Sequence, residues 1–513
     1  MTRTTPPPAP ARALPSPRDW PAADGDDAIV ASSATDLARR IASGALTSER
    51  VVRAFLARIA RVGDAGNAFA LVDAAGALEG ARDADAARAR GELRGPLHGV
   101  PVTVKDTIAT RGLRTTAGDP SLAGWVPDED AAIVARLRRA GAIVLGKTNA
   151  ARMAMDMQTT NPLFGTTPNP WNPERTIGGS SGGCASAVAT HLSPLSFGSD
   201  LAGSIRLPAA YAGVTGLRPT RAAVSMRGHV PPRPGEVDGI RAMAVLGPIA
   251  RSVDDLALAL SAIAGPCDED ATPAPLPDAS GVPESVAGLR VAYAGRLGGV
   301  PVSRAVERAL ARVVASLRDA GASVEPAEPA GFSCERTWET WGALVGMQGG
   351  YERSNFARRV GRLFAQRHVE PVAHLRRVLG PVTVEGYMRA LTEQAAQATA
   401  LERFLAGFDA WIVPVASVEP FPHHAPARRF GDFPVYDAPL RVDGAEVPYY
   451  VATQAYTTLF SVTEGPVVAL PAGLTEDGLP VGFQLVGRRF DDRRLLAVAR
   501  LIEPLLERPR LAV

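Results

Sequence analysis

The chain has 513 residues, with 55 basic against 53 acidic side chains and a formal net charge of +2. A balance this even gives no electrostatic reason to expect nucleic acid or a membrane surface as partner. Three cysteines, Cys184, Cys267 and Cys334, are too few and too scattered for a disulfide framework or a four-thiolate zinc site, and they suit a reducing, cytoplasmic compartment.

Residues 1–30 hold Pro6, Pro7, Pro8, Pro10, Pro15 and Pro17 and lack the apolar stretch of a signal peptide, which predicts a disordered, extended leader. Ser33-Ala34-Thr35-Asp36 has the form of a capping box before a helix, and Thr47 and Ser48 can cap another running to about Val62. A third helical stretch covers Asp73 to Arg90. Val100, Val102 and Val104 then alternate as in a strand, which sets Lys105 at its C-terminal end. A helix over Glu129 to Ala140 leads to the apolar run Ile143-Val144-Leu145. From Asn161 to Gly183 the chain is rich in Pro, Gly and Asn and predicts no regular element. Ala185 to His191 reads as helix and Leu195 to Phe197 as strand.

Gly265 to Pro283 reads as a surface connection, followed by a strand at Leu289 to Tyr293 and an amphipathic helix at Arg304 to Ala320. The region 335–408 is mostly helical, with Trp338, Trp341, Met347, Tyr351 and Phe356 expected in core packing. Trp411 to Val413, Val467 to Leu470 and Val481 to Val486 read as buried strands. No apolar run approaches the ~18 residues of a membrane span. Alternating helices and strands predict one α/β domain over about 31–505, built on a mixed, mostly parallel sheet covered by helices on both faces. Its core would span about 75–265 and 405–490.

Only two of the 55 basic residues are lysines, Lys105 and Lys147. Where a solvated positive charge suffices, arginine has taken nearly every position. Chemistry that needs a neutral amine is the main case arginine cannot serve, because guanidinium does not deprotonate in proteins. Lys147 lies in Gly141-Ala-Ile-Val-Leu-Gly146-Lys147-Thr148, which satisfies the phosphate-loop pattern. Its four variable positions form a buried strand rather than a flexible loop, so the reading favours a structural Lys147 over a nucleotide site. Gly178-Gly-Ser180-Ser-Gly182 likewise matches a nucleophile elbow, but Pro168, Pro170 and Pro173 precede it where a strand would be needed. None of the seven histidines announces itself as a triad base, and the pair His423-His424 has no apparent third metal ligand.

Two small-residue loops remain, Ile177 to Cys184 and Gly198 to Pro208. The second runs from the strand Leu195–Phe197 into a short helix opened by Ser204. Amides from Leu201 through Ala202 and Gly203 to Ser204 can gather an oxyanion at such a turn, and a hydroxyl there can attack the carbonyl they hold. Lys105 is the available neutral-amine base.

Together these stretches resemble the amidase-signature family. Gly99 to Asp106 is similar to its lysine strand, Gly178 to Gly183 to its serine loop and Gly198 to Pro208 to its nucleophile loop. The resemblance implies Ser204 as nucleophile, Ser180 as a proton relay with a cis peptide before it, and Lys105 as the ultimate base. It also implies that Ser181, Ser199, Asp200 and Arg206 hold these groups in register, with no cofactor and no metal. The chain departs from the family's common pattern at Ala202, Cys184 and Arg152. Met153, Ala154, Met157 and Tyr456 are expected to line the substrate pocket. A small-molecule carboxamide is the expected substrate, and a homodimer is compatible with the reading. The nearest alternative is a subunit that hydrolyses glutamine to supply ammonia. Such subunits commonly carry glutamine after Ser-Ile-Arg, where this chain has Leu207.

Overall fold

Short runs of Val, Ile, Leu and Ala bounded by Gly and Pro become the strands of a single eleven-stranded sheet. The computed structural model describes residues 26–236, 242–350, 354–360, 377–430, 432–509 and 511. In chain order the strands are β1 (Phe69–Val72), β2 (Pro101–Lys105), β3 (Ile143–Thr148), β4 (Leu195–Asp200), β5 (Thr215–Arg218) and β6 (Val245–Ala250). They continue as β7 (Arg290–Tyr293), β8 (Ser323–Pro326), β9 (Ala410–Pro414), β10 (Val467–Leu474) and β11 (Pro480–Val486). Across the sheet the order is β1-β3-β2-β4-β6-β5-β10-β11-β9-β7-β8.

The sheet is mixed, as expected, but six of its ten neighbour pairs are antiparallel, so the parallel majority does not hold. The reason is visible in the connections. Thr475 to Leu479 closes a tight turn, with the Thr475 N–H donating to the Leu479 carbonyl, and so short a link can join only antiparallel strands. Parallel pairing survives where a helix carries the chain back, as between β2 and β3 through the helix Ala132–Arg139.

The anticipated helix starts are present with their caps. Ser33, Thr47 and Asp73 side chains accept from the N–H groups of Asp36, Arg50 and Gly76, opening the helices Ala34–Ala42, Ser48–Gly66 and Ala74–Ala89. The leader lies mainly outside the described residues, but its last part, Asp27–Ala31, is a short helix rather than an extended tail. The stretch after Asn161 is irregular, apart from a two-stranded ribbon pairing Thr160–Asn161 with Gly165–Thr166. Tyr449, Tyr450 and Tyr456 lie on the helix Tyr449–Val462, nearly all of it buried. Within 335–408 the helices Cys334–Gln348 and Val384–Leu405 are long and well packed. Trp338, Trp341 and Met347 are buried there, whereas Phe356 is 78% exposed and Tyr351 lies outside the described residues.

The phosphate-loop pattern resolves into sheet. Ile143 to Thr148 is β3, buried along its whole length. A Cβ at Gly146 would meet the Leu71 carbonyl oxygen of β1 at 2.2 Å, so this glycine serves strand contact. Gly146→Ala is therefore expected to cost about 1–3 kcal/mol, the usual range for overpacking, measured as a loss of unfolding free energy in denaturant.

Candidate active site

Strand β2 ends on Lys105 between β3 and β4, with Thr103 and Val104 opposite Ser196 and Phe197, so the lysine enters the centre of the sheet edge fully buried. Its Nζ lies 2.7 Å from Ser180 Oγ and 2.9 Å from Ser199 Oγ. Burial strips water from the ammonium and pushes its pKa down to about 7, although the Asp200 carboxylate favours the charged form. Cys184 Sγ is nearby but is held as a thiol, because burial raises its pKa. It lies 3.0 Å from Thr148 Oγ1, which makes this unusual residue part of the packing beneath the lysine.

Lys147 points elsewhere. Its Nζ donates to the Ile108 carbonyl and to Thr110 and Thr115 Oγ1, the latter two at 2.9 Å. It therefore braces the chain that follows β2, as the sequence suggested for a structural lysine.

Ser180 lies in the glycine-rich loop before the helix Gly182–Ala189, and the Gly179–Ser180 peptide is cis. Its carbonyl accepts from Ala151 N–H at 3.1 Å. The two serine loops are tied together by Ser181. Its N–H donates to the Ser204 carbonyl at 3.2 Å and its hydroxyl to the Ser199 carbonyl at 3.2 Å. Thus Lys105, Ser180, Ser181, Ser199 and Ser204 converge from three separate segments.

The path of the second loop is set by Asp200. Its Oδ1 accepts from Gly203 N–H at 2.8 Å and Arg206 at 2.8 Å; its Oδ2 accepts from Ile205 N–H at 3.1 Å and Arg206 Nε at 3.0 Å. Burial alone would raise its carboxyl pKa, but Arg206 beside it holds the carboxyl far below the usual range. Arg206 in turn reaches the Thr457 carbonyl, Gln484 Oε1 and Ser461 Oγ. The Gly203 N–H is thereby occupied, so Gly203 does not share in an oxyanion cradle. Its amide faces the carboxylate because φ is +113° and because a Cβ would strike Thr457 Oγ1 at 2.5 Å. Leu201, Ala202 and Ser204 remain as candidate donors. The Ala202 methyl is accommodated, and its carbonyl accepts from Thr457 Oγ1 at 2.5 Å.

The expected pocket residues divide. Met153 and Ala154 follow the segment that binds the Ser180 carbonyl, both with positive φ, and Met153 packs with Ala117, Leu122 and Val230. Met157 instead packs with Leu207 and Tyr211 in the interior, and Tyr456 turns into the main core, its hydroxyl donating to the Val300 carbonyl at 2.7 Å. Arg152 joins a four-membered ion-pair ring: Asp119 and Asp432 each bind both Arg152 and Arg233 at 2.8–3.2 Å. Beneath Gly179, Asp156 accepts from the Tyr436 and Tyr449 hydroxyls and from Met157 N–H, and burial raises its pKa to about 6.

The Amidase family model matches residues 50–496. The chain belongs to this family. It is 36% identical over 502 residues to a protein of Salinispora arenicola named as a glutamyl-tRNA(Gln) amidotransferase subunit, covering 93% of this chain and 97% of that one. Among solved structures it is similar to a fatty acid amide hydrolase, at TM-score 0.75 and 26% identity over 94% of this chain and 86% of that one. It is also similar to the peptide amidase of Stenotrophomonas maltophilia, at TM-score 0.72 and 29% identity over 94% and 98% of the two chains. The protein is an amide-hydrolysing enzyme of this family.

Removing one partner of the Asp200–Arg206 pair leaves the other charged and buried. Asp200→Ala is expected to lower unfolding free energy by about 3–5 kcal/mol in a denaturant titration. Because the folded-state carboxyl is held low, the pair's contribution is complete at neutral pH and fades only as acid protonates Asp200.

Proposed function

We propose that this amidase hydrolyses a neutral carboxamide with an apolar acyl group through an acyl-Ser204 intermediate, with Ser180 as proton relay and Lys105 as base. The observation that carries this reading is the 2.7 Å contact of Lys105 Nζ with Ser180 Oγ, made by a lysine whose pKa lies near 7. Such a lysine is an amine for a large fraction of the time at neutral pH and can accept a proton that an arginine could not. Ser204 Oγ attacks the carbonyl carbon while its proton passes through Ser180 to Lys105. The proton returns to the leaving nitrogen as the C–N bond breaks, and water then releases the acid by the same route. N–H groups of Leu201, Ala202 and Ser204 would receive the oxyanion.

The apolar acyl group is argued from the surroundings of that loop. Leu201 and Ala202 meet a cluster of Met243, Trp341, Leu344 and Met347, and the Trp341 indole donates to the Leu201 carbonyl at 3.3 Å. None of these side chains is charged, whereas free glutamine brings both an ammonium and a carboxylate. A second reading, glutamine hydrolysis within a larger assembly, is favoured by the name of the Salinispora relative. Leu207 in place of the glutamine common in such subunits weighs against it.

A panel of aliphatic, aryl and cyclic amides, with free glutamine alongside, separates the two readings by amine or ammonia release. Turnover of the uncharged amides at a kcat/KM at least tenfold above glutamine is expected; the reverse order would establish the second reading. Ser204→Ala should abolish turnover, and Lys105→Arg should be as inactive as Lys105→Ala. In the wild-type enzyme kcat/KM should fall tenfold per pH unit below about 7, as the amine of Lys105 becomes an ammonium.

A further inference from the structure

Each peptide unit of the turn after Asp200 is held by a partner on its carbonyl oxygen. The Leu201 carbonyl accepts from the Trp341 indole N–H at 3.3 Å, and the Ala202 carbonyl from Thr457 Oγ1 at 2.5 Å. The Gly203 carbonyl accepts from Leu207 N–H at 2.8 Å and the Ser204 carbonyl from Ser181 N–H at 3.2 Å. None of these peptides is cis, so each carbonyl points opposite to the N–H of the residue that follows it. Fixing the oxygen therefore fixes the direction of the next amide. Gly203 and Ile205 N–H both donate to the Asp200 carboxylate. Ala202 and Ser204 N–H have no hydrogen-bond acceptor among the described residues. Alternate amides along the turn thus bind the carboxylate or stay unclaimed.

The partner that fixes the Ala202 amide is Trp341, on the helix Cys334–Gln348, where the sequence suggested only core packing. Its side chain is buried and shares an apolar cluster with Ala202 itself, Met243 and Val462. One helical turn earlier, the Trp338 indole donates to the Ala455 carbonyl at 2.8 Å. That bond docks the helix on Tyr449–Val462, which carries Thr457. Two helices pinned to each other therefore hold the consecutive carbonyls of Leu201 and Ala202.

We propose that Trp341 is a positioning residue for the oxyanion cradle. By holding the Leu201 carbonyl, its indole N–H aims the Ala202 N–H at the oxygen that becomes negative when Ser204 adds to a carbonyl carbon. This rests on the reading of Ser204 as nucleophile. An indole suits the task, because its N–H donates only and cannot rotate away as a hydroxyl can. As charge builds on the oxygen, the Leu201–Ala202 peptide is polarised and the bond from Trp341 strengthens with it. The contribution is thus larger in the tetrahedral state than in the bound substrate, which is where a cradle acts on rate.

The test compares the binding of phenethyl trifluoromethyl ketone with that of its secondary alcohol. Ser204 Oγ adds to the ketone carbon, its proton passes through Ser180 to Lys105, and the ketone oxygen becomes an oxyanion. The alcohol fills the same space and forms none. Removing a direct oxyanion donor costs about 10²–10³-fold, and loss of the bond that aims one is expected to cost less. Trp341→Phe, which keeps an aromatic ring without the N–H, should weaken ketone binding at least about tenfold and alcohol binding less than about twofold. A folded Trp341→Phe enzyme that loses both equally, or neither, would overturn the proposal, since a wall residue acts on shape alone. Should Trp341→Phe fail to fold, the unaltered enzyme decides. With ¹⁵N-labelled tryptophan, the Trp341 indole resonance should shift more with the ketone than with the alcohol. Equal shifts would refute the link. Ser204→Ala binding the ketone as tightly as the unaltered enzyme would instead remove Ser204 as nucleophile, and the proposal with it.

Discussion

A carboxylate and a guanidinium, both withdrawn completely from water, dictate the course of the chain from Asp200 to Arg206. Isolated, either charge would be untenable in that position, since desolvation costs several kcal/mol per ion. The pair is retained because nearly every remaining donor and acceptor is used. Asp200 gathers the backbone N–H groups of Gly203 and Ile205, and Arg206 reaches two further elements, a strand through Gln484 and a helix through Thr457 and Ser461. The consequence is a turn that cannot relax. Ser204 lies within it, and the amides of Leu201 and Ala202 have no hydrogen-bond acceptor among the described residues.

That anchoring bears on Lys105 as well. Burial drives the lysine toward the neutral amine, and Asp200 pulls it back toward the ammonium. If Asp200 were unpaired its field at the lysine would be stronger and the amine scarcer. By drawing the carboxylate into a tight contact with Arg206, the fold supplies the shape of the loop while cancelling much of the charge that would disable the base. Ser181 completes the coupling, since one residue bonds both Ser199 beside the lysine and Ser204 beside the carboxylate.

What could be read from the linear chain follows the same division between local and distant causes. The capping residues, the strand leading to Lys105 and the glycine loops are short-range features, and each is present in the structure. The scarcity of lysine separated two positions that composition alone would merge, and the structure assigns Lys147 to loop carbonyls and hydroxyls. Features that depend on long-range pairing were hidden. The antiparallel majority of the sheet follows from turn geometry late in the chain, and Thr457 meets Ala202 across 255 positions. Tyr456 and Met157 could not be assigned packing partners from sequence, because such a side chain looks the same there whether it lines a pocket or fills a core. Gly203 was counted among the oxyanion donors because sequence does not show which carboxylate captures its N–H.

The ring formed by Arg152, Arg233, Asp119 and Asp432 shows how such distant pairing bears on substrate choice. Its two arginines and two aspartates are drawn from four separate segments, and only Asp119 is almost fully out of water. Single exposed ion pairs contribute little, but alternating charges in a closed ring hold each other's geometry. Arg152 adjoins Met153 and Arg233 closely follows Val230, so the ring fixes the two residues that pack together beside the serine loop. The four charged side chains are thus already satisfied by one another. Half-buried and already paired, neither Arg152 nor Arg233 is a spare cation for a substrate carboxylate, and that is a physical reason to rank uncharged amides ahead of a zwitterionic amino acid.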